Sequence, residues 1–112
     1  MIPDLTLRTL QASLWGLSAR RSAAEQDLAN VETPGYRGQI VSFEDSLRSA
    51  AASGRPTDLD VSTGTSSAAT RENGNNVAVA DEMVGLTETA LRQQLVIEAL
   101  NNKYRTMRAA IG

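Results

Sequence analysis

An all-α fold is predicted by three observations: apolar residues recur at alternating spacings of three and four at both ends of the chain, the middle is almost free of large apolar groups, and acids and bases lie where helix ends favour them. The expected architecture is an antiparallel helical hairpin of N- and C-terminal helices with a heptad seam, joined by a long irregular or disordered middle segment. Residues 1–31 form the first helix, 32–47 a turn and short lip, 48–76 a flexible middle loop and 77–112 the second helix.

In the first helix the seam consists of Leu7, Leu10, Leu14, Leu17, Ala24, Leu28 and Val31, interrupted by Arg21. Asp4 is its expected N-cap, with Pro3 ahead of it fixing the chain's approach. Gly16 in mid-helix costs about 1 kcal/mol relative to alanine. Either another backbone comes close there or the helix tolerates the loss. The helix stops at Leu28-Ala29-Asn30-Val31-Glu32-Thr33-Pro34-Gly35-Tyr36. Asn30 tolerates a left-handed helix end, and Pro34 lacks the amide donor needed to continue. Pro34-Gly35 fits a type II turn, and Tyr36 follows with a ring face to pack and a hydroxyl to hydrogen-bond.

After the turn, Ile40, Phe43 and Leu47 stand at helical spacing, enough for a short helix or an extended lip. The runs Ala50 to Pro56, Ser62 to Ser67 and Asn73 to Asn76 have linker compositions that do not offset their ordering entropy by burial. Leu59 and Val61 alternate with polar residues, which would suit a small β-hairpin around Asp58 to Thr63. The second seam is stricter: Val79, Met83, Leu86, Ala90, Ile97, Leu100, Tyr104, Met107 and Ile111 follow the alternation, and Gln93 interrupts it. Val84, Leu91 and Leu95 add a flank, so the apolar stripe is wider than one partner helix needs. Asp81 and Glu82 lie near the start and Lys103, Arg105 and Arg108 near the end, with Glu88 and Arg92 paired one turn apart.

Composition narrows the function classes. The chain has 112 residues, of which 4% are aromatic, so a large core is not expected. A net charge of −2, from 11 basic and 13 acidic residues, argues against nucleic-acid binding. The absence of cysteine removes disulfides and thiol chemistry, and the absence of histidine removes the commonest general base and metal ligand. The acids Glu25, Asp27, Glu44, Asp45, Asp58 and Asp60 have no metal or acid–base spacing. An enzyme is therefore not expected, nor a cofactor, a metal or a membrane span. The start of the chain lacks the pattern of a cleavable secretory signal.

The stretch ending in Thr33-Pro34-Gly35-Tyr36 resembles the signature of bacterial flagellar rod, hook and hook-associated proteins. Gly74-Asn75-Asn76-Val77, Glu82-Met83, Leu91-Arg92-Gln93-Gln94, Leu100 to Tyr104 and Met107 to Ile111 are similar to the C-terminal helix of the proximal rod proteins of the flagellar basal body. The family usually has an Asp directly after Asn-Asn-Val, where this chain has Ala78, so Asn76 or Asp81 is expected to cap the helix. The resemblance implies a structural subunit of the proximal rod, located in the cell envelope and exported without a cleaved signal through the flagellum's own gate. It implies that Asn30, Thr33, Pro34, Gly35 and Tyr36 shape a turn that contacts a neighbour. Leu7, Leu10, Leu14, Leu17, Leu28, Met83, Leu86, Ile97, Leu100, Tyr104, Met107 and Ile111 would form the interface. The implied partners are copies of the chain, other proximal rod proteins, the rod-to-ring adapter and the export gate. A rival is the small secreted helical hairpin with a Trp-x-Gly bend, but Trp15-Gly16 has no intervening residue and lies within the first helix.

Overall fold

A computed structural model describes residues 5–111. In chain order it contains α1 (Leu5–Ala29), β1 (Gln39–Ser42), α2 (Glu44–Ala52), a 3-10 turn over Pro56–Asp58, β2 (Ser62–Thr65) and α3 (Val79–Ile111). The N-cap expected at Asp4 lies outside the described residues. α1 and α3 pass each other in opposite directions. Gln11 Nε2 donates to the Tyr104 hydroxyl oxygen at 3.2 Å, Gln93 Nε2 to Ser18 Oγ at 3.3 Å, and Arg21 Nη1 to Gln93 Oε1 at 3.2 Å. Arg21 and Gln93, the two interruptions of the apolar pattern, thus meet each other. The molecule measures 62 × 25 × 14 Å, and its radius of gyration of 17.3 Å exceeds the roughly 13 Å of a compact chain this long.

The fold is mostly helical but not all-α. β1 and β2 form a two-stranded antiparallel sheet, with Gln39 opposite Thr65, Ile40 opposite Gly64, Val41 opposite Thr63 and Ser42 opposite Ser62. All four residues of β2 are exposed, so no apolar alternation announces the strand. Backbone pairing with the distant β1 makes it, in place of a local hairpin around Asp58 to Thr63. Leu59 and Val61 instead pack against the core, which is built from Leu17, Ala23, Val41 and Phe43 with Ala19, Leu47 and Val96 alongside. The lip residues divide: Ile40 lies in β1, Phe43 precedes α2, and Leu47 lies within it.

Parts of residues 48–76 and the residue that follows them are buried in the structure. Ala50, Pro56, Asn75, Asn76 and Val77 are all buried. Gly16 meets the lip preceding this segment. A Cβ placed there would stand 2.3 Å from Phe43 Cδ2, so the glycine makes a notch in α1 for an aromatic ring. Arg20, one turn on, lies over the same ring at 4.7 Å and forms two hydrogen bonds to Glu44, at 2.6 and 2.7 Å. Another side chain, not another backbone, is what comes close at Gly16.

Burial follows the expected seam only in places. Leu17, Ala24 and Leu100 are buried, Leu7, Leu10, Leu14, Leu28, Leu86 and Met107 are half-buried, and Met83, Ile97, Tyr104 and Ile111 are exposed. On α1 the buried positions include the small residues Ala12, Gly16 and Ala23, and on α3 Thr89, none of which belongs to the large apolar pattern. At about 100° per residue, Val84, Leu91 and Leu95 form a second stripe on α3 that is turned away from α1. Leu91 is 58% and Leu95 66% exposed.

Candidate functional site

The two motifs singled out in the sequence, some forty residues apart, close on each other to form one clamp. It begins where α1 ends. Asn30 Nδ2 donates at 2.9 Å to the Gln26 carbonyl, which also accepts from the Asn30 N–H at 3.1 Å, and Asn30 Oδ1 accepts from Thr33 Oγ1 at 3.1 Å. Among the described residues no non-glycine has positive φ, so Asn30 ends the helix through its side chain and not through a left-handed backbone. The turn then closes with Tyr36 N–H donating to the Thr33 carbonyl at 3.2 Å and Gly35 at φ 76°, the combination a type II turn requires.

Asn75 grips this turn from the other side. It is 0% exposed, and its Nδ2 donates to the carbonyls of Asn30 at 2.8 Å and Thr33 at 2.9 Å, while its Oδ1 accepts from Val77 N–H at 2.8 Å. Gly35 N–H donates to the Asn73 carbonyl at 2.8 Å. Gly74, at φ 81°, lies so close that an added Cβ would stand 3.2 Å from Gly35 Cα, so the two glycines let the two turns touch. Asn76 does the same work toward the sheet: its Oδ1 accepts from Gly38 N–H at 2.7 Å, and its Nδ2 donates to the carbonyls of Ser66 at 3.0 Å and Ala68 at 3.1 Å. Arg71 ties the ends together, donating to the Val77 carbonyl at 2.6 Å and to that of Val31.

Because Asn76 is engaged in this way, it does not cap α3, and Asp81 lies inside the helix. Ala78 holds the cap position, its carbonyl accepting from Glu82 N–H at 3.0 Å. Alanine has no side-chain acceptor to cap the helix, and Asp81 complements the helix dipole from the first turn instead.

Beneath the clamp lies Asp27, wholly buried near the end of α1. Its Oδ1 accepts from the Tyr36 hydroxyl at 2.8 Å, and both carboxylate oxygens accept from Gln39 N–H at 3.1 Å. Gln39 Nε2 in turn donates to the Tyr36 hydroxyl oxygen at 3.1 Å and to Gln26 Oε1 at 2.7 Å. Burial, followed by the bond to Asp27, pushes the Tyr36 hydroxyl above its ordinary value. On α3, burial, followed by the nearness of Asp27 and then Asp81, pushes the Glu82 carboxyl up to about 7.

Sequence reasoning placed Asn30, Thr33, Pro34, Gly35 and Tyr36 at a turn, and the structure brings them to one corner, where Pro34 and Gly35 remain on the surface. It did not assign Asp27, Gln39 or Arg71 to the site. Asp27 carried a readable signal, since it falls between Ala24 and Val31 on the apolar face, where an unsolvated acid needs partners. The hydrogen bonds of Asp27, Asn75 and Asn76 go to other groups of this chain, an arrangement that holds backbone segments in place. Among the described residues no cluster of acids could hold a metal ion, and no helix is long and apolar enough to cross a membrane.

No family model matches the chain. It is similar to the flagellar basal body rod protein FlgB of Bacillus subtilis (strain 168), with 26% identity over 119 aligned residues that take in 95% of this chain and 92% of that protein. That likeness, running nearly end to end in both proteins, supports a FlgB-like flagellar rod protein family for this chain.

Proposed function

We propose that the chain is a structural subunit of the proximal rod of the flagellar basal body, assembling helically with copies of itself and other rod proteins. The observation that carries this reading is the near full-length similarity to a flagellar rod protein. Two features of the molecule support it. The body is long and thin, and its helices leave large apolar side chains in solvent, among them Trp15, Val84, Leu91, Leu95 and Ile111. An isolated helical pair has no use for such a surface; a bundle of many copies would bury it.

In this assembly α1 and α3 run along the rod axis as an antiparallel hairpin, with Leu7, Leu10, Leu14, Leu17 and Leu28 of the first helix, and Met83, Leu86, Ile97, Leu100, Tyr104, Met107 and Ile111 of the second, divided between the contact within a subunit and contacts between subunits. The clamp around Asn30 to Tyr36 sets the direction in which the middle segment leaves and meets an adjacent subunit. The rod transmits torque across the cell envelope and encloses the channel through which later subunits pass. Its other partners are the rod-to-ring adapter and the export gate. The role is mechanical and not enzymatic. The Trp-x-Gly secreted hairpin is not favoured: Gly16 lies in mid-helix beneath Phe43 and makes no bend.

Deleting the gene in its own host should abolish swimming and yield basal bodies without rods; motile cells with complete rods would overturn the assignment. A finer test separates interface from core. Leu91→Lys and Leu95→Lys should leave the isolated chain's circular dichroism and melting unchanged and still block rod assembly. Leu100→Lys, at a position 8% exposed, should unfold the subunit itself.

A further inference from the structure

An open groove of about 270 Å³ lies where α1, α2 and α3 come together. Leu17 and Phe43, 3% and 4% exposed, line it from the core, and Leu47, Leu95 and Val96 continue its apolar wall outward. Its charged lining is the Glu44 carboxylate and the Arg92 guanidinium, which stand 4.0 Å apart. The volume falls below the roughly 300 to 1,000 Å³ of small-molecule sites and suits one large side chain instead. A flat apolar body with a single hydrogen-bond donor on its edge matches this lining. Its carbon face would meet the leucines and Val96, its π face the Arg92 cation, and its N–H the Glu44 carboxylate. That body is an indole.

The chain has one tryptophan, Trp15, and it is 57% exposed. Ser13 and Leu17 are the residues by which α1 lines the groove, and at about 100° per residue Trp15 stands about 160° around the helix from each of them. A lone molecule therefore cannot place Trp15 in its own groove. At a rise of about 1.5 Å per residue, Trp15 is also only about 3 Å along the axis from either. Groove and tryptophan thus share one height on opposite sides of the same helix.

We propose that Trp15 of one copy of this chain docks in the groove between α1, α2 and α3 of a second copy. The contact is head-to-tail in the sense that each copy gives its tryptophan to one neighbour and receives that of another, so it repeats until a ring closes or a helix climbs. Because donor and acceptor share a height, such neighbours stand side by side with little axial offset and not end to end. A large aromatic buried at the centre of an interface carries a disproportionate share of the binding energy. The proposal deepens the rod reading and rests on it for its assembled setting, adding one named lateral contact between copies.

The full-length isolated chain tests this, followed by sedimentation and by Trp15 fluorescence from about 1 µM to about 1 mM. The expected result is growth beyond a dimer, with emission moving to shorter wavelength as the indole leaves water. Trp15→Ala and Leu95→Lys, both at exposed positions, should keep the wild-type circular dichroism and each weaken association about thirty-fold or more. Mixed in equal amounts they should associate again and stop at a dimer, since Leu95→Lys retains the tryptophan and Trp15→Ala retains the groove. A wild-type chain that stays monomeric, association without a change of emission, or a mixture no better than its parts would overturn the contact. Should Trp15→Ala fail to fold, Leu95→Lys alone decides: emission that no longer moves with concentration supports the contact, and emission that still moves ends it. A monomeric wild-type chain, found together with rodless basal bodies on gene deletion, would remove this contact and leave the rod assignment standing.

Discussion

At Gly16 an added methyl group would stand 2.3 Å from Phe43 Cδ2 and 2.4 Å from its Cγ, well inside contact distance. Alanine is ordinarily the better helix residue by about 1 kcal/mol. Here Gly16→Ala should instead destabilise the chain by roughly 1 to 3 kcal/mol, because the Phe43 ring must leave its notch and the Arg20 guanidinium stacked on it must follow. A urea midpoint that rises on this substitution would show the notch to be slack. Asn75 is the second residue on which much rests. Its amide nitrogen serves two carbonyls of the preceding turn, and the side chain is wholly buried. Asn75→Asp keeps the shape, removes both donors and turns a carboxylate toward two carbonyl oxygens. It should cost roughly 3 kcal/mol or more by denaturant melts, and a near-wild-type midpoint would mean that the clamp does not hold the turn.

Among the elements, the short middle pieces depend on α1 for their place. Glu44 opens α2 and makes two bonds to Arg20, whose pull holds the Glu44 carboxyl down at about 2, well below its ordinary 4.5. A lowered value means stability present above about pH 4.5 and lost as the pH falls toward 2. Both side chains remain partly in solvent, so the contribution is below about 1 kcal/mol, and Glu44→Gln should remove only that acid limb of the pH–stability curve. Since Glu82 acts in the opposite direction above pH 4.5, these two groups together place their combined maximum near that pH; a curve still climbing from pH 5 to 7 would contradict this. The same elements mark what a sequence can and cannot disclose. The long helices were legible because apolar spacing has a period, and the Thr33 to Tyr36 turn because proline and glycine have fixed backbone preferences. β2 was not, since Ser62-Thr63-Gly64-Thr65 is exposed throughout and gains its partner only from β1. The clamp was half legible. Asn75 and Asn76 stood out as a motif, but asparagines that bind backbone carbonyls leave no mark on hydropathy, and nothing local says that residue 75 meets residue 30.

Over the whole molecule, support is unevenly distributed. The middle segment reaches α1 from Gly16 to Asn30 and α3 around Arg92 and Val96, and the cluster of Leu17, Ala23, Val41 and Phe43 lies within that span. Toward the other end the two helices have mainly each other, and Leu5, Trp15, Ile97, Tyr104 and Ile111 stand exposed, the last at 84%. Helical turns with few buried contacts open at small free-energy cost, so hydrogen exchange of the isolated chain should be graded. Protection should be highest in residues 17–29 and 79–96 and fall steadily toward residues 5–12 and 104–111. If neighbouring subunits supply what the lone molecule lacks, the same amides in assembled rods should become at least ten times slower to exchange, and those of the clamp should hardly change. Uniform protection of the free chain would mean that the far end is complete without company. The exposed apolar side chains would then have to be explained without assembly, and the clamp would be one stable region among several instead of the anchor from which the rest of the subunit is ordered.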